Sequence, residues 1–325
     1  SMTVALGRGA CGGHLTLLFT VDDQSEDPNF QGSLGAGICV ADGVEAIARG
    51  QEGEYSLNVR FLSGEGDSNM YQQVLDLLCQ EIPQFSELNW EVAIKMTLPP
   101  SQGFGMSAAG AIAAACAFQR AIGQPHEESL RRAYSIAHRV ERMNSTGLGD
   151  VTALSAGGVE RRLIPGSPYS GSNLVNGPGV AEGWFESTPI VLAWRENPGR
   201  HTSEYIDNAK WKKLITDSGT EQMKILSDGV WDSSRWTELI ECAESFSTDS
   251  QLANDASRSS LIEAGKSAAQ RVGIGVDVAV LLCMLGESIA IVPRELGSVE
   301  SLDSLITELE NEGLQALVTS VGKIS

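Results

Sequence analysis

A chain of 325 residues with 42% apolar content can bury a substantial core, as one large domain or two ordinary ones. Its 23 basic and 42 acidic side chains leave a formal charge of −19, and the field around such a molecule repels nucleic acid and anionic membrane alike. An anionic substrate must then be met by locally gathered cations, by backbone amides or by a bound divalent metal. Cys11, Cys39, Cys79, Cys116, Cys242 and Cys283 are scattered, with no CxxC pair and no histidine at zinc-ligand spacing, which reads as structural thiols in a reducing cytosol. No leader-like pattern opens the chain and no apolar run reaches the length of a membrane span, so the expected location is cytoplasmic.

Residues 4–48 alternate short apolar runs, such as 15–20 and 38–40, with glycine and aspartate, a pattern of short strands joined by loops. Period-two alternation predicts strands over 55–61 and 90–96, with a helix over 70–78 between them. A glycine-serine loop follows, then an alanine-rich helix over 107–122 that Gly123 ends, and a second helix over 127–143. The Gly, Pro and Ser-rich stretch 165–183 is the expected passage between two lobes, residues 1–183 and 184–325. Beyond it come a buried-strand pattern at 190–194, a polar and mostly helical stretch over 203–247, and a helix over 257–272. A strand at 289–293 after the turn 286–288 and a last helix over 301–310 complete an α+β second lobe.

The loop Pro99-Pro100-Ser101-Gln102-Gly103-Phe104-Gly105-Met106-Ser107-Ala108-Ala109 has what an anion site requires. Gly103 and Gly105 let the backbone approach oxygen atoms closely, and Ser107 together with the free amides of the helix start can donate to them. It is not a Walker loop, because no Gly-Lys-Ser/Thr follows and the nearest lysine, Lys95, precedes it. A bare GxG is more often an ordinary turn opening a helix, so the weight lies on its context.

Downstream, His138 and Glu141 share one face of a helix by their three-residue spacing, and Asp150 follows in the turn Gly147-Leu148-Gly149-Asp150. Phosphoryl transfer needs one carboxylate to hold a magnesium ion bridging the phosphates and another to orient or deprotonate the attacking hydroxyl. Glu141 suits the first role and Asp150 the second. Taken singly, Glu141 also reads as a solvated position facing Arg139 or Arg142, Asp150 as a turn residue, and His138 as a packed helix histidine.

The order P-x-x-x-G-x-G-x-S-A-A-G with an alanine helix behind it resembles the second motif of the galactokinase, homoserine kinase, mevalonate kinase and phosphomevalonate kinase (GHMP) superfamily. The resemblance implies a two-lobed α+β fold, a ribosomal protein S5 domain 2-like N-terminal lobe followed by a ferredoxin-like C-terminal lobe. It also implies that Pro99, Ser101, Gly103, Phe104, Gly105, Met106, Ser107, Ala108 and Ala109 bind ATP. Within the superfamily the chain resembles the archaeal pantoate kinases. The likeness is carried by residues 7–16, the G-S-x-G-A-G segment 32–37, the loop 101–110, the spacing of His138, Glu141 and Asp150, and the run Gly157-Gly158-Val159-Glu160-Arg161-Arg162 followed by Pro165-Gly166. Residues 279–288 resemble that family's C-terminal helix and turn, whereas 203–260 carry no likeness.

That likeness implies ATP- and Mg2+-dependent phosphorylation of (R)-pantoate to 4-phosphopantoate in coenzyme A biosynthesis, by a subunit that can pair as a homodimer. Ser33, His138 and Arg162 would hold pantoate, Ser107 and Glu141 the metal, and Asp150, Glu141 and Ser107 would serve catalysis. A cation such as Arg162 is chemically suited to clamp a carboxylate, although an arginine on a strand surface is an equal reading of that residue alone. Another hydroxy acid of the same superfamily (homoserine, mevalonate or shikimate) or a non-catalytic ligand-sensing protein remain the alternatives. The chain departs from the pattern in two places. Gly12-Gly13 precede His14 and leave it without an assigned role, and the glycine-rich third motif is reduced to Arg271-Val272-Gly273-Ile274-Gly275 and Gly286.

Overall fold

The computed structural model describes residues 3–196 and 208–322. The first 52 residues form two long strands, β1 (Val4–Phe19) and β2 (Gly35–Glu52), paired antiparallel over nearly their whole length. Sequence had suggested short strands broken by glycine. The glycines do not break them, because most serve to admit close neighbours. A Cβ at Gly7 would lie 2.1 Å from the Ala117 carbonyl oxygen, and one at Gly9 would lie 2.1 Å from that of Ala113. Gly35 to Gly37, the end of the G-S-x-G-A-G segment, likewise open β2 as strand.

Strand β3 (Ser56–Ser63) connects through helix α1 (Ser68–Glu81) to β4 (Leu88–Met96), which pairs parallel with β3 and antiparallel with the far half of β2. The near half of β2 pairs instead with β5 (Val159–Ile164), so β2 is the spine of a six-stranded sheet in which β3, β4, β2, β5 and the strand Val180–Trp184 lie in that order, with β1 also paired to β2. Against this sheet lies helix α2 (Met106–Ala121), whose side chains from Met106 to Phe118 are buried apart from Ser107. Ala113, Ala117 and Ala121 repeat at four-residue spacing and face Gly7 and Gly9, so helix and strand backbones come together with no side chain between them. Tyr71 of α1 fits over Gly110 in the same manner. Helix α3 (His126–Met143) packs on α2, and a short α4 (Asp150–Ala156) follows the glycine turn.

The stretch 165–183 is not the passage between sheets. It holds the small hairpin of β6 (Tyr169–Ser170) and β7 (Val175–Asn176) and then β8 (Val180–Trp184), which pairs with β5. The crossing comes at residues 185–188, before β9 (Pro189–Trp194). The second sheet runs β10 (Val278–Leu282), β11 (Ser288–Pro293), β9, β12 (Gln315–Ser320), all neighbours antiparallel. With helices between β9 and β10 and the helix Leu302–Asn311 between β11 and β12, this is the ferredoxin-like β-α-β-β-α-β order.

Three helices fill the first of those connections, at Ala209–Leu226, Trp236–Asp249 and Ala256–Arg271. Residues 203–207 of the expected helical stretch lie outside the described residues. Residues 279–282, within the segment likened to a helix and turn, belong instead to β10, an edge strand of this sheet whose five residues are all buried. Both lobes share one apolar core, and Phe19 of β1 meets Phe246 of the second lobe with ring centroids 5.8 Å apart.

The contact of α2 with β1 leaves no room for a side chain on the strand. Gly9→Val is expected to lower stability by about 3 kcal/mol through overpacking, read as a drop in the urea midpoint. An unchanged midpoint would show that the helix does not rest on this strand.

Candidate active site

The N-terminus of α2, the turn before α4 and the end of β5 converge on one cavity of about 530 Å³. Ser101, with φ 61°, Gly103, with φ 82°, and Gly105, with φ 69°, turn the chain through left-handed conformations, so the loop folds back before the helix begins. The first intrahelical bond runs from the Ala109 amide to the Gly105 carbonyl at 3.0 Å, which leaves the amides of Met106, Ser107 and Ala108 to a ligand at the positive end of the helix. The Ala109 amide, expected to bind nucleotide, is already committed. Pro99 faces a second, more open cavity beside Trp194 and Gln315.

Other parts of the chain brace the loop. The Phe104 carbonyl accepts from the His14 amide at 2.9 Å, and the Phe104 ring meets Trp194 edge-on at 5.6 Å. The Gln102 carbonyl accepts from Ser288, and a Cβ at Gly286 would sit 2.1 Å from that same oxygen. Of the reduced third motif, Gly286 therefore touches the loop, whereas Gly273 has open space around it.

Ser107 and Glu141 come together as expected: the serine Oγ donates to Glu141 at 2.9 Å to Oε2 and 3.0 Å to Oε1. Thr146 adds a second hydroxyl to Oε2. Glu141 is fully buried, and this desolvation lifts its carboxyl to about 8 against the lowering effect of the Thr146 bond. A buried carboxylate held by neutral hydroxyls is an environment that a divalent cation relieves. No cluster of three or more His, Cys, Asp or Glu forms a metal cage among the described residues. The Ser107–Glu141 pair fits a magnesium ion that takes its other ligands from phosphates and water.

Asp150 lines the cavity, and its Oδ1 faces His14 Nδ1 at 2.6 Å. The other nitrogen of His14 faces Glu160 Oε1 at 2.8 Å. With a carboxylate at each end, the ring satisfies both only as imidazolium, donating twice. Burial works to lower the His14 pKa, but the hydrogen bonds to Asp150 and Glu160 outweigh it and hold the value above the ordinary one. The register of β1 against β2 shifts between Gly12 and His14, and a Cβ at Gly13 would lie 2.7 Å from the Phe104 carbonyl oxygen. A bulge of this kind re-aims the side chain beside it.

Arg162 is 1% exposed, not a surface residue of a strand, and its Nη1 donates to Glu160 Oε1. Its Nε and Nη2 have no hydrogen-bond partner among the described residues, although the side chain lines the cavity. Gly35 and Gly149 flank the guanidinium, and a Cβ on either would stand within 2.5 Å of a guanidinium nitrogen. Ser33 lines the same cavity with its hydroxyl turned to the Leu34 carbonyl at 2.6 Å. His138 does not line it. Its Nε2 lies 2.9 Å from the Pro28 carbonyl oxygen, and burial lowers its pKa to about 4, so the neutral ring donates to Pro28 and supports the loop carrying Ser33.

Sequence reasoning had left His14, Thr16, Thr146 and Glu160 without roles. An isolated histidine in an apolar strand and a glutamate between Val159 and two arginines were the available signals, and neither says what faces them across the fold.

Residues 69–158 match the family model of the GHMP kinases N terminal domain, and the chain has a two-lobed α+β fold. Among curated relatives, the pantoate kinase of Thermococcus kodakarensis is 34% identical over 161 residues, 49% of this chain and 52% of that protein. That of Methanospirillum hungatei is 31% identical over 160 residues, 48% of this chain and 52% of its own length. The matches thus span about half the length of these relatives. A solved structure described as a phosphotransferase related to the CoA biosynthesis pathway superposes with a TM-score of 0.75 at 22% identity, covering 98% of this chain and 96% of that one.

Burial of Glu141 makes a pH-dependent prediction. Its folded pKa is raised from 4.5 to about 8, so its contribution to stability is complete below 4.5 and is lost as pH rises through about 8. In metal-free buffer Glu141→Gln is expected to match the native chain in urea midpoint at acid pH. Near pH ~9 it should be more stable by about 5 kcal/mol. Equal midpoints throughout would show that the carboxylate is not under strain.

Proposed function

We propose that the protein transfers the γ-phosphoryl group of ATP to the 4-hydroxyl of (R)-pantoate, giving 4-phosphopantoate for coenzyme A synthesis. The observation that carries this reading is Arg162: a buried guanidinium with two nitrogens free, opening on the same cavity as an anion-binding helix start. A small acid with a hydroxyl to phosphorylate satisfies both ends. The curated relatives are pantoate kinases, which supports the choice of acid.

In this proposal the amides of residues 106–108 and the Ser107 hydroxyl bind the phosphates, while Ser107 and Glu141 hold Mg2+, which when bound offsets phosphate charge. Arg162 and Ser33 bind the pantoate carboxylate end, and His138 acts through the loop on which Ser33 sits. Asp150 orients the acceptor hydroxyl and takes its proton as the new P–O bond forms and the bond to ADP breaks. Its Oδ2 has no hydrogen-bond partner among the described residues and lies against Gly147, where a Cβ would be 2.1 Å away. Positioning and charge compensation supply most of the rate, as phosphoryl transfer allows. Two lobes, residues 1–183 and 184–325, and a cytoplasmic location belong to the same proposal.

ADP release measured with pantoate, homoserine, mevalonate and shikimate tests it. Turnover with pantoate is expected, and silence with pantoate alongside turnover of another acid would overturn the choice. Asp150→Asn should lower kcat by roughly a thousandfold or more with ATP affinity retained, and near-normal turnover would remove Asp150 from the mechanism. Arg162→Met should raise the KM for pantoate by about a hundredfold while leaving that for ATP unchanged, as expected when a buried charged partner is lost.

A further inference from the structure

Glu160 has been given no role, yet one of its oxygens joins the two ends of the acceptor site. Oε1 accepts from His14 Nε2 and from Arg162 Nη1, and Glu160 is wholly buried. Its other oxygen, Oε2, has no hydrogen-bond partner among the described residues. Such a carboxylate is costly unless the charges beside it are fixed. The fold keeps this space open deliberately: a Cβ at Gly37, paired with Glu160 across β2 and β5, would lie 2.8 Å from His14 Nε2 and 3.1 Å from Glu160 Oε1.

The result is an alternating row, Asp150, His14, Glu160, Arg162, of which the last three are buried and the first lines the cavity. Its first member is the group proposed to orient the hydroxyl, and its last is the one proposed to hold the acceptor's carboxylate. We infer that Glu160 is a positioning residue that couples occupation of Arg162 by the acceptor's carboxylate to the charge and orientation of His14, and through it to Asp150. The inference rests on the kinase reading for its functional meaning, but the coupling itself is a property of the free protein.

When a carboxylate pairs with the free nitrogens of Arg162, the cation competing with His14 for Glu160 is partly neutralised. Glu160 then favours the imidazolium more strongly, and Asp150 keeps its partner while the acceptor is bound. An acceptor of the right length without the carboxylate would lack this effect. The groups facing His14 are Asp150 from α4, Glu160 from β5 with Arg162 behind it, Thr16 on its own strand, and Cys39 opposite on β2. Burial holds the Cys39 thiol protonated, so it adds no charge.

The test is titration of the His14 imidazole by nitrogen-15 NMR in the free, full-length protein. Glu160→Gln should lower the His14 pKa by about one unit or more, and Arg162→Met should raise it, since the one removes an anion and the other a cation. In Glu160→Gln/Arg162→Met the effect of the arginine change should shrink, because its carrier is gone. Glu160→Asp, which keeps the charge on a shorter arm, should fall between native and Glu160→Gln, and serves if the glutamine variant does not fold. A His14 pKa unmoved by Arg162→Met, or moved equally with and without Glu160, would overturn the coupling. In turnover, Glu160→Gln should both lower kcat and raise the acceptor KM at least tenfold with the ATP KM unchanged, a split that general loosening would not produce. If the native protein phosphorylates none of the acids, the kinase reading fails while the NMR result still decides the coupling.

Discussion

The contact between an alanine helix and a glycine strand sets the geometry of this molecule. Because Gly7 and Gly9 offer bare backbone to Ala113, Ala117 and Ala121, α2 lies against β1 at a distance no larger residues would permit. The start of the helix is thereby brought beside His14, where the bulge in β1 occurs and the Phe104 carbonyl bonds to the strand. The helix-start amides proposed to bind phosphate and the ionic row of the site thus share one cavity. Close packing transmits such placement with little slack, since interiors lack the free volume to absorb a shift.

Electrostatics explains how a chain of charge −19 can present a site to anions. Long-range repulsion is screened by salt, whereas the local field of the cavity is shaped by groups that water does not reach. The helix start, the imidazolium of His14 and the guanidinium of Arg162 supply positive character. Asp150, Glu160 and Glu141 compensate it, the last at the cost of a raised pKa. Glycines flank the charged groups of the site: Gly37 beside His14, Gly35 and Gly149 beside Arg162, Gly147 beside Asp150. These four glycines leave the room that the charged side chains of the site need.

Much of the element order could be read from the sequence. The helices over 106–121 and 126–143 and the strands over 88–96 and 189–194 lie within two residues of their expected limits, because each has an unbroken apolar period. The long hairpin of β1 and β2 was missed for a physical reason: glycine marks a turn in sequence, yet in these strands it answers to a helix lying across them. The loop and the Ser107–Glu141 pair were legible because both belong to motifs with local spacing. His138 was misleading for the same reason, since its spacing puts it on the face of Glu141 but its ring bonds the Pro28 carbonyl.

The sequence by itself determined that this is an acidic α+β protein whose glycine-serine loop runs into a helix start suited to anions, with carboxylates following in order. These features follow from composition and from periodicities no longer than a helix. Only the tertiary structure decided which cations and carboxylates meet. The Asp150–His14 and His14–Glu160 contacts join residues 136 and 146 positions apart, and their pairing depends on sheet register and on the room left by missing side chains. Neither leaves a local signature, so the ionic row of the site becomes visible only when the strands are laid side by side.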